Sequence, residues 1–339
     1  MEDDRNFEAL RKVVRHDGVP SGPASVIFDM FGKTRSACRS GETAAGLPDN
    51  SEIAHFRPAY MNRRVLRILD PETGDALIRP SRRRAVAVPG RCFSARSTYP
   101  DNMGHFMHDM LSRIYYQDLG AIAPGRERII APGFHIPMQR ILFERIFEGY
   151  DIVHVPSDAA LEVEELLLPA NPCSTYSFNA AAISALAKRL RGIASSISGK
   201  ENFKVCVSRK DGQKGGAHGR NFVNAEAFEE RMRKMGYRVV EIAKLDPDAQ
   251  FRLWANCGDI VGIHGAGMMN CLMMPEGSNY AEIAGAPFDL LPHMYCRTSI
   301  VRCAMAAGHR ICGLIGDMDD EGRPIIDLDR LEEILRGSS

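Results

Sequence analysis

The chain lacks the cysteine spacing of a metal site or a disulfide framework. Its nine cysteines are scattered between Cys38 and Cys312, their number is odd, and no two of them form a Cys-x-x-Cys pair. Zinc sites and small disulfide-rich folds both depend on closely spaced cysteines. We therefore expect reduced, cytosolic-type thiols and no structural zinc.

An excess of charge of one sign is also missing. Lys plus Arg and Asp plus Glu both number 43, so the formal net charge is zero. Domains that bind nucleic acid generally carry a strong basic excess, so general nucleic-acid binding is disfavoured. The chain also has no internal repeat, coiled-coil heptad or low-complexity tract, which excludes repeat architectures.

Long hydrophobic runs are absent as well. No apolar stretch approaches the roughly 18 residues that a membrane-spanning helix needs. The first residues, Met-Glu-Asp-Asp-Arg, are acidic and lead into no apolar segment, so no signal peptide is expected. These absences predict a cytoplasmic protein, and peripheral association with the inner face of a membrane through partners stays open.

What is present is typical of a soluble α/β protein. A length of 339 residues with 45% hydrophobic and 25% charged residues suggests about two globular domains. Strand patterns alternate with helix patterns from residue 128 onwards, which predicts parallel α/β sheets. We predict an N-terminal extension over 1–50 whose first 20 residues are mobile, a first domain over 51–198, a second over 199–310, and a C-terminal strand and helix over 311–339.

The most informative stretch contains a glycine turn. The apolar run 260–263 predicts a short buried strand, and it is followed by His264, Gly265, Ala266 and Gly267 and then by a helical pattern. Parallel sheets bind ligands at such turns, and the start of the next helix suits a phosphate. Glu282, near the end of the following strand, can accept hydrogen bonds from sugar hydroxyls. Glycine turns are common, however, and His264 can equally be a structural histidine.

Polar residues also follow the strand that we predict over 203–207. Ser208 and Arg209 end this strand, and a basic, glycine-rich loop leads to Arg220 and to Asn224, which we interpret as a helix N-cap. Because the guanidinium fork binds two phosphate oxygens at once, the loop is a candidate diphosphate site; a solvated loop is the alternative. No Gly-x-Gly-x-x-Gly follows this strand, which disfavours a dehydrogenase.

A helix predicted near residue 105 carries the third group. Apolar residues at 103, 106, 107, 110, 111 and 114 predict its buried stripe. His105 and Asp109 are four residues apart and share one face, so the carboxylate can orient the imidazole as a general base. A simple surface contact is the alternative. For His108 we expect either a surface position or a supporting one.

These three groups together resemble family 61 glycosyltransferases, over roughly residues 100–285. The resemblance rests on Asn102-x-x-His105-x-x-x-Asp109 with Arg113, on Ser208-Arg209 with Arg220 before Asn224-x-Glu226, and on His264-Gly-Ala-Gly-x-x-Asn270 followed by Glu282.

The resemblance implies a fold, a reaction and roles for residues. The fold is GT-B, with two Rossmann-like α/β domains facing a central cleft and a C-terminal helix that crosses back onto the first domain. The reaction is transfer of a sugar, with inversion, from a nucleotide diphosphate-sugar to a hydroxyl of a glycan or glycolipid. The expected donor is a UDP-sugar, and the expected process is the synthesis of a bacterial surface polysaccharide. His105 and Asp109 would be catalytic, with Asn102 and Arg113 as acceptor-side support. The donor-binding residues would be Ser208, Arg209, Arg220, His264, Gly265, Ala266, Gly267, Asn270 and Glu282.

No metal or cofactor is expected, because the nucleotide sugar is itself a substrate. Asp317 and Asp319 have the Asp-x-Asp spacing of metal-dependent transferases, but their position near a turn favours a solvated acidic loop. Two alternatives stay open: a non-catalytic nucleotide-sugar-binding protein, and another nucleotide-dependent α/β enzyme. The His105–Asp109 pair favours an enzyme.

Overall fold

The structure is a computed structural model. It describes residues 13–14, 53–56, 59–61, 66–67, 85–96, 101–155, 160–169, 179–196, 201–209, 222–285, 294–319 and 324–337. They divide into two compact units, with the boundary between Ala182 and Ile183. This boundary lies inside a helix, earlier than the one that we predicted after residue 198. Most of the predicted N-terminal extension lies outside the described residues.

The first unit is built on a mixed sheet. Its strands are β1 (Val13–Val14), β2 (Ile53–Phe56), β3 (Ala59–Met61), β4 (Leu66–Arg67), β5 (Ala85–Ser94), β6 (Arg128–Pro132), β7 (Asp151–Val155) and β8 (Ala160–Pro169). The order is β1-β2-β8-β5-β6-β7, with β3 also beside β8. The pairs β8–β5, β5–β6 and β6–β7 are parallel, whereas β2 and β3 pair with β8 in the antiparallel sense. The parallel part was predicted; the antiparallel margin was not.

One helical segment, α1 (103–118), follows the carboxyl end of β5. It consists of an α-helical turn Met103–His105, a π-helix Phe106–Met110, a 3-10 turn Leu111–Ile114 and an α-helical turn Tyr115–Asp118. The predicted buried stripe is confirmed, because Phe106, Met107, Met110, Leu111 and Ile114 have no exposed surface. Two further helices, α2 (Pro137–Ile146) and α3 (Ala180–Ser195), follow.

The second unit is built on a six-stranded sheet and also contains helices. Its strands are β9 (Phe203–Val207), β10 (Arg238–Val240), β11 (Cys257–Ile263), β12 (Asn279–Gly285), β13 (Arg310–Met318) and β14 (Pro324–Ile325). The helices are α4 (Ala225–Lys234), α5 (Pro247–Ala255), α6 (Met294–Ala306) and α7 (Leu328–Gly337), and a 3-10 helix spans Ala266–Met273.

The strand order of this sheet determines where a ligand can bind. The order is β10-β9-β11-β12-β13-β14, and every pair is parallel except β13–β14. The chain therefore leaves β9 towards β10 on one side and returns across β9 to β11 on the other. In such doubly wound sheets the two connections diverge and leave a crevice at the carboxyl ends of the adjacent strands. Here those ends are Val207 and Ile263. The α/β class with parallel sheets is thus confirmed.

The last helix, α7, packs within the second unit. Leu331 and Leu335 lie in one buried cluster with Val261 and Ile283 of the central strands. The resemblance led us to expect this helix to cross back onto the first domain, and that expectation stays a prediction. Among the described residues, no helix combines the length and the apolar character that crossing a membrane requires.

Candidate functional site

The carboxyl ends of β9 and β11 hold the first group of predicted site residues. The Ser208 amide donates to the carbonyl of Val240 at 2.9 Å, and its hydroxyl donates to Glu229 of α4 at 2.5 Å. Ser208 therefore ties the end of β9 to the neighbouring strand and to the helix that follows. This fixes the direction in which the next residue, Arg209, leaves the sheet.

Arg209 lies over the glycine turn. Its Nη1 donates to the main-chain carbonyl of His264. A Cβ atom at Gly265 would lie only 2.0 Å from that nitrogen. Gly265 has an extended backbone, with φ at 164°, so its conformation is open to any residue. Glycine at this position lets the guanidinium group approach closely, and a methyl group here would force the end of the Arg209 side chain to move.

Three buried side chains, those of His264, Glu282 and Tyr280, form a hydrogen-bonded group next to the same turn. His264 Nδ1 is hydrogen-bonded to one carboxylate oxygen of Glu282, and the Tyr280 hydroxyl donates to the other. The exposed fractions of the His264 and Glu282 side chains are 7% and 1%. Burial and, next, the charge of Glu282 raise the pKa of Tyr280 well above its usual range, so its hydroxyl keeps its proton and donates. A direct contact of Glu282 with a ribose stays a prediction, and it requires the buried carboxylate to become accessible.

The turn is also held from its other side. The Asn270 side chain is buried and donates from Nδ2 to the carbonyl of Gly267 at 2.8 Å. Gly267 itself packs so tightly that a Cβ would lie 3.0 Å from Ile242 Cδ1. The structure thus brings together eight predicted residues: Ser208, Arg209, His264, Gly265, Ala266, Gly267, Asn270 and Glu282. Arg220 and the loop 210–221 lie outside the described residues.

A cavity of about 820 Å³ opens beside Arg209. Its lining includes the strand ends Val207 and Ile263, the apolar side chains of Phe222 and Val223, and the first turn of α4 from 225 to 227. The volume falls within the roughly 300–1,000 Å³ typical of ligand sites. The cavity therefore occupies the crevice that the strand order creates.

The start of α4 was only partly predicted. The helix does begin after Asn224, but the Asn224 amide does not cap it. Instead Nδ2 donates to the Ile326 carbonyl at 2.7 Å and Oδ1 accepts from the Ile326 amide at 2.9 Å. Within the described residues no side chain caps this helix, so the first-turn N–H groups beside the cavity keep their partial positive charge.

The second group of predicted residues lies on α1 in the first unit. His105 Nδ1 is 2.9 Å from Oδ2 of Asp109, so the predicted contact between them is confirmed. Asn102 accepts at Oδ1 from the Gly104 and His105 amides and so begins the helix. His108 is not on the surface: only 5% of it is exposed, and its Nδ1 is 2.5 Å from Oδ1 of Asp109. The π-helical turn that holds His108 and Asp109 is a feature that concentrates at functional sites.

The electrostatic environment keeps Asp109 ionised. Burial acts to raise its pKa, but the hydrogen bond with His105 and the close contact and charge of His108 prevail and lower the pKa to about 2. Arg113 is buried and donates from Nη1 to the carbonyls of Ser94 at 2.9 Å and Arg96 at 2.5 Å. Burial lowers the pKa of Arg113 to about 10, with the Asp109 charge opposing this, so the guanidinium remains positive at neutral pH. The carboxylate thus has a permanent cation nearby.

The same cluster could geometrically hold a metal ion. His105, His108 and Asp109 each offer one ligand atom, and these atoms lie within 4.8 Å of one another. Two imidazoles and a carboxylate are donors that suit zinc. Each Nδ1 already contacts the carboxylate, however, and the positive charge of Arg113 opposes a dication. The arrangement is therefore better suited to holding and moving a proton, and metal independence stays a prediction.

Comparison with known proteins identifies the family. The family model of glycosyltransferase 61 matches residues 103–281, which is more than half of the 339 residues. No curated protein matches the chain. The matched stretch includes the His105–Asp109 pair, Arg209 and the glycine turn, while Asn102 and Glu282 each lie one residue outside it. By the extent of this match, the chain belongs to the glycosyltransferase 61 family.

Proposed function

We propose that the protein transfers a sugar, with inversion, from a nucleotide diphosphate-sugar to a hydroxyl of a glycan acceptor. Membership of the family supplies the general class, a sugar transferase. The observation that carries the proposal further is the cavity at the carboxyl ends of β9 and β11, with Arg209 on its wall. A doubly wound sheet binds nucleotides in this crevice.

The donor diphosphate is proposed to lie beside Arg209. Its negative charge would meet the guanidinium group, the amides of the turn 265–267 and the uncapped start of α4. Phe222 and Val223 give the cavity an apolar wall that suits a nucleoside. As the bond between the sugar and the diphosphate breaks, negative charge grows on the leaving oxygen. Positive groups that are already in place stabilise that charge most effectively.

His105 is proposed to accept the acceptor's proton. Because Asp109 is ionised, it can only accept hydrogen bonds, so the hydrogen between the two residues belongs to Nδ1 of His105. Nε2 is then the nitrogen that takes the proton as the hydroxyl oxygen attacks the anomeric carbon. The bond to the diphosphate breaks on the opposite face, which inverts that carbon. The resulting imidazolium is stabilised by Asp109.

The finer assignments remain proposals. We propose a UDP-sugar as donor, a bacterial surface glycan or glycolipid as acceptor, and a cytoplasmic site of action at the inner face of the membrane. The resemblance supports the reaction and the class of glycan, while neither metal nor cofactor has a role in the mechanism that the residues support.

Nucleotide screening tests the donor site. The Tm of the full chain is measured with UDP, GDP, CDP or TDP. The proteins compared are the natural protein, Arg209→Ala and Arg252→Ala. Arg252→Ala is the control, because it removes an exposed arginine of α5. We expect one nucleotide, first of all UDP, to raise the Tm of the natural protein and of the control, and not that of Arg209→Ala. A response of Arg209→Ala equal to that of the control would refute this donor site.

A further inference from the structure

Two carboxylates of the second unit differ in their availability to a ligand. The sequence indicated Glu282 for the ribose, but only 1% of its side chain is exposed, and it is hydrogen-bonded to His264 and Tyr280. Glu226, in the first turn of α4, is exposed and lines the cavity beside Arg209. Among the described residues, the Glu226 carboxylate has no hydrogen-bond or ion-pair partner. It is therefore a carboxylate that a ligand in the cavity can reach.

A second glutamate of the cavity wall is already engaged. Glu229 is buried, and its carboxylate accepts from the Ser208 hydroxyl at 2.5 Å and from Nη2 of Arg233 at 3.3 Å. The wall thus combines a cation, Arg209, with the accessible carboxylate of Glu226. This combination fits a ligand that has an anionic part and, next to it, a neutral part that donates hydrogen bonds.

The surroundings of Glu226 suit a nucleoside. Val223 also lines the cavity at this end of α4, and 44% of it is exposed, so it offers an apolar surface for a base. Ala225 and Ala227, on either side of Glu226, line the cavity as well, and their methyl groups take up little of its space. An apolar surface and a carboxylate therefore lie at the same end of one helix.

We propose that Glu226 binds the hydroxyl groups of the donor's ribose. The proposal rests on the proposed function, in which the diphosphate lies beside Arg209. An ionised carboxylate only accepts hydrogen bonds, and its two oxygens can take two donors side by side. The ribose diol supplies two such donors, whereas uracil has a single N–H group between two carbonyl oxygens, which a carboxylate repels. Carboxylates also bind ribose hydroxyls in other doubly wound sheets.

The charge of Glu226 has opposite effects on the two parts of the nucleotide. It attracts the hydroxyl groups, but it repels a diphosphate in the same cavity. Replacing Glu226 with alanine should therefore weaken the binding of a ribonucleotide and leave the binding of inorganic pyrophosphate unchanged or tighter. A general role of Glu226 in the stability of α4 would instead weaken both ligands, because the start of this helix is proposed to meet the diphosphate too.

Calorimetric titrations of the full chain with UDP, 2′-deoxy-UDP and inorganic pyrophosphate test this assignment. If the nucleotide screen selects another base, its diphosphate and the 2′-deoxy form replace the two uridine compounds. The proteins compared are the natural protein, Glu226→Ala and Glu230→Ala. Glu230→Ala is the matched control, because Glu230 is an exposed glutamate of the same helix, pairs with Lys234 at 2.7 Å and is not part of the cavity wall.

The ratio of the two nucleotide affinities is the decisive quantity. In the natural protein and in the control, we expect UDP to bind about tenfold more tightly than 2′-deoxy-UDP, as the loss of one hydrogen bond to a charged group predicts. In Glu226→Ala the Kd for UDP should rise about 10- to 100-fold, and the ratio should fall close to one. The Kd for pyrophosphate should not rise.

Two results would overturn the proposal: a ratio in Glu226→Ala equal to that of the control, or an equal loss of UDP and pyrophosphate binding. If Glu226→Ala does not fold, Glu226→Leu decides in the same way, because leucine favours helices and has no acceptor. The proposed donor site fails separately, and the role of Glu226 with it, if Arg209→Ala binds pyrophosphate and UDP as the natural protein does. Weakened binding of both ligands in Arg209→Ala, with an unchanged ratio in Glu226→Ala, would remove Glu226 alone.

Discussion

Replacing Gly265 with alanine tests the geometry of the donor site without touching a charged group. The new methyl group would lie 2.0 Å from Nη1 and 2.9 Å from Cζ of Arg209. Ordinary contact begins near 3.4 Å, so the guanidinium group has to move by about 1.4 Å. The backbone itself imposes no penalty, because the extended conformation of Gly265 suits alanine.

The expected change in nucleotide affinity follows from the hydrogen bonds that Arg209 loses. A displacement of this size breaks its hydrogen bond with the His264 carbonyl and moves the guanidinium group away from the proposed position of the diphosphate. Hydrogen bonds to charged groups contribute about 1.5–3 kcal/mol each, and about 1.4 kcal/mol is a tenfold change in affinity. We therefore expect the Kd for the nucleotide diphosphate to rise about 10- to 100-fold. Arg209 is only half-buried, so the Tm without ligand should change little.

Calorimetric titration of the nucleotide provides the measurement. Gly192→Ala is the matched control, because it adds the same methyl group where no atom lies within 4 Å. Gly267→Ala adds it 3.0 Å from Ile242 Cδ1, so it should have a smaller effect on binding and a larger one on stability. Unchanged affinity in Gly265→Ala, together with weakened binding in Arg209→Ala, would refute the argument from close approach.

Three further predictions concern the first unit and the reaction. His105→Gln should lower kcat by about 10²–10⁴ and leave the nucleotide Kd unchanged, as measured by transfer assays and calorimetry; equal activity would remove His105 as the base. Asp109→Asn should lower the free energy of unfolding by about 2 kcal/mol at pH 7, because the folded-state pKa of Asp109 is depressed to about 2. In urea titrations of both proteins, this difference should persist above pH 4 and shrink as the pH falls towards 2; a difference that grows on acidification would contradict it. Transfer should continue at full rate in EDTA, and recovery of a lost rate on adding Mn²⁺ would disprove metal independence.

Local patterns predicted much of the second unit. The strand 203–207 has the predicted bounds, because its bulky residues end abruptly at Ser208 and the polar loop. The turn after Ile263 was equally predictable, since glycines between an apolar run and a helical pattern are typical of a strand that leads into a helix. Both signals come from neighbours in the chain, and the same holds for the contact of His105 with Asp109.

Features that depend on distant residues were not predictable. The cavity exists because β11 lies next to β9 rather than next to β10, and no local pattern reports strand order. Glu282 was expected to face a sugar, yet Tyr280 and His264 enclose it from both sides. His108 meets Asp109 within a π-helical turn, whereas the apolar pattern indicated an ordinary helix. The antiparallel strands β2 and β3 depend on pairing with β8, more than 100 residues later.

The hydrogen bonds of the Asn224 side chain matter for the design of truncated or fused variants of this protein. It is hydrogen-bonded to the backbone of Ile326, about a hundred positions downstream, and so anchors one wall of the cavity beside Arg209 to the last part of the chain. Removing the residues from Ile326 onwards, or fusing a bulky partner there, would loosen that wall even though Arg209 and the glycine turn are retained. Loss of nucleotide affinity in such a derivative would then result from the lost hydrogen bonds between Asn224 and Ile326, and not from damage to Arg209 or the glycine turn.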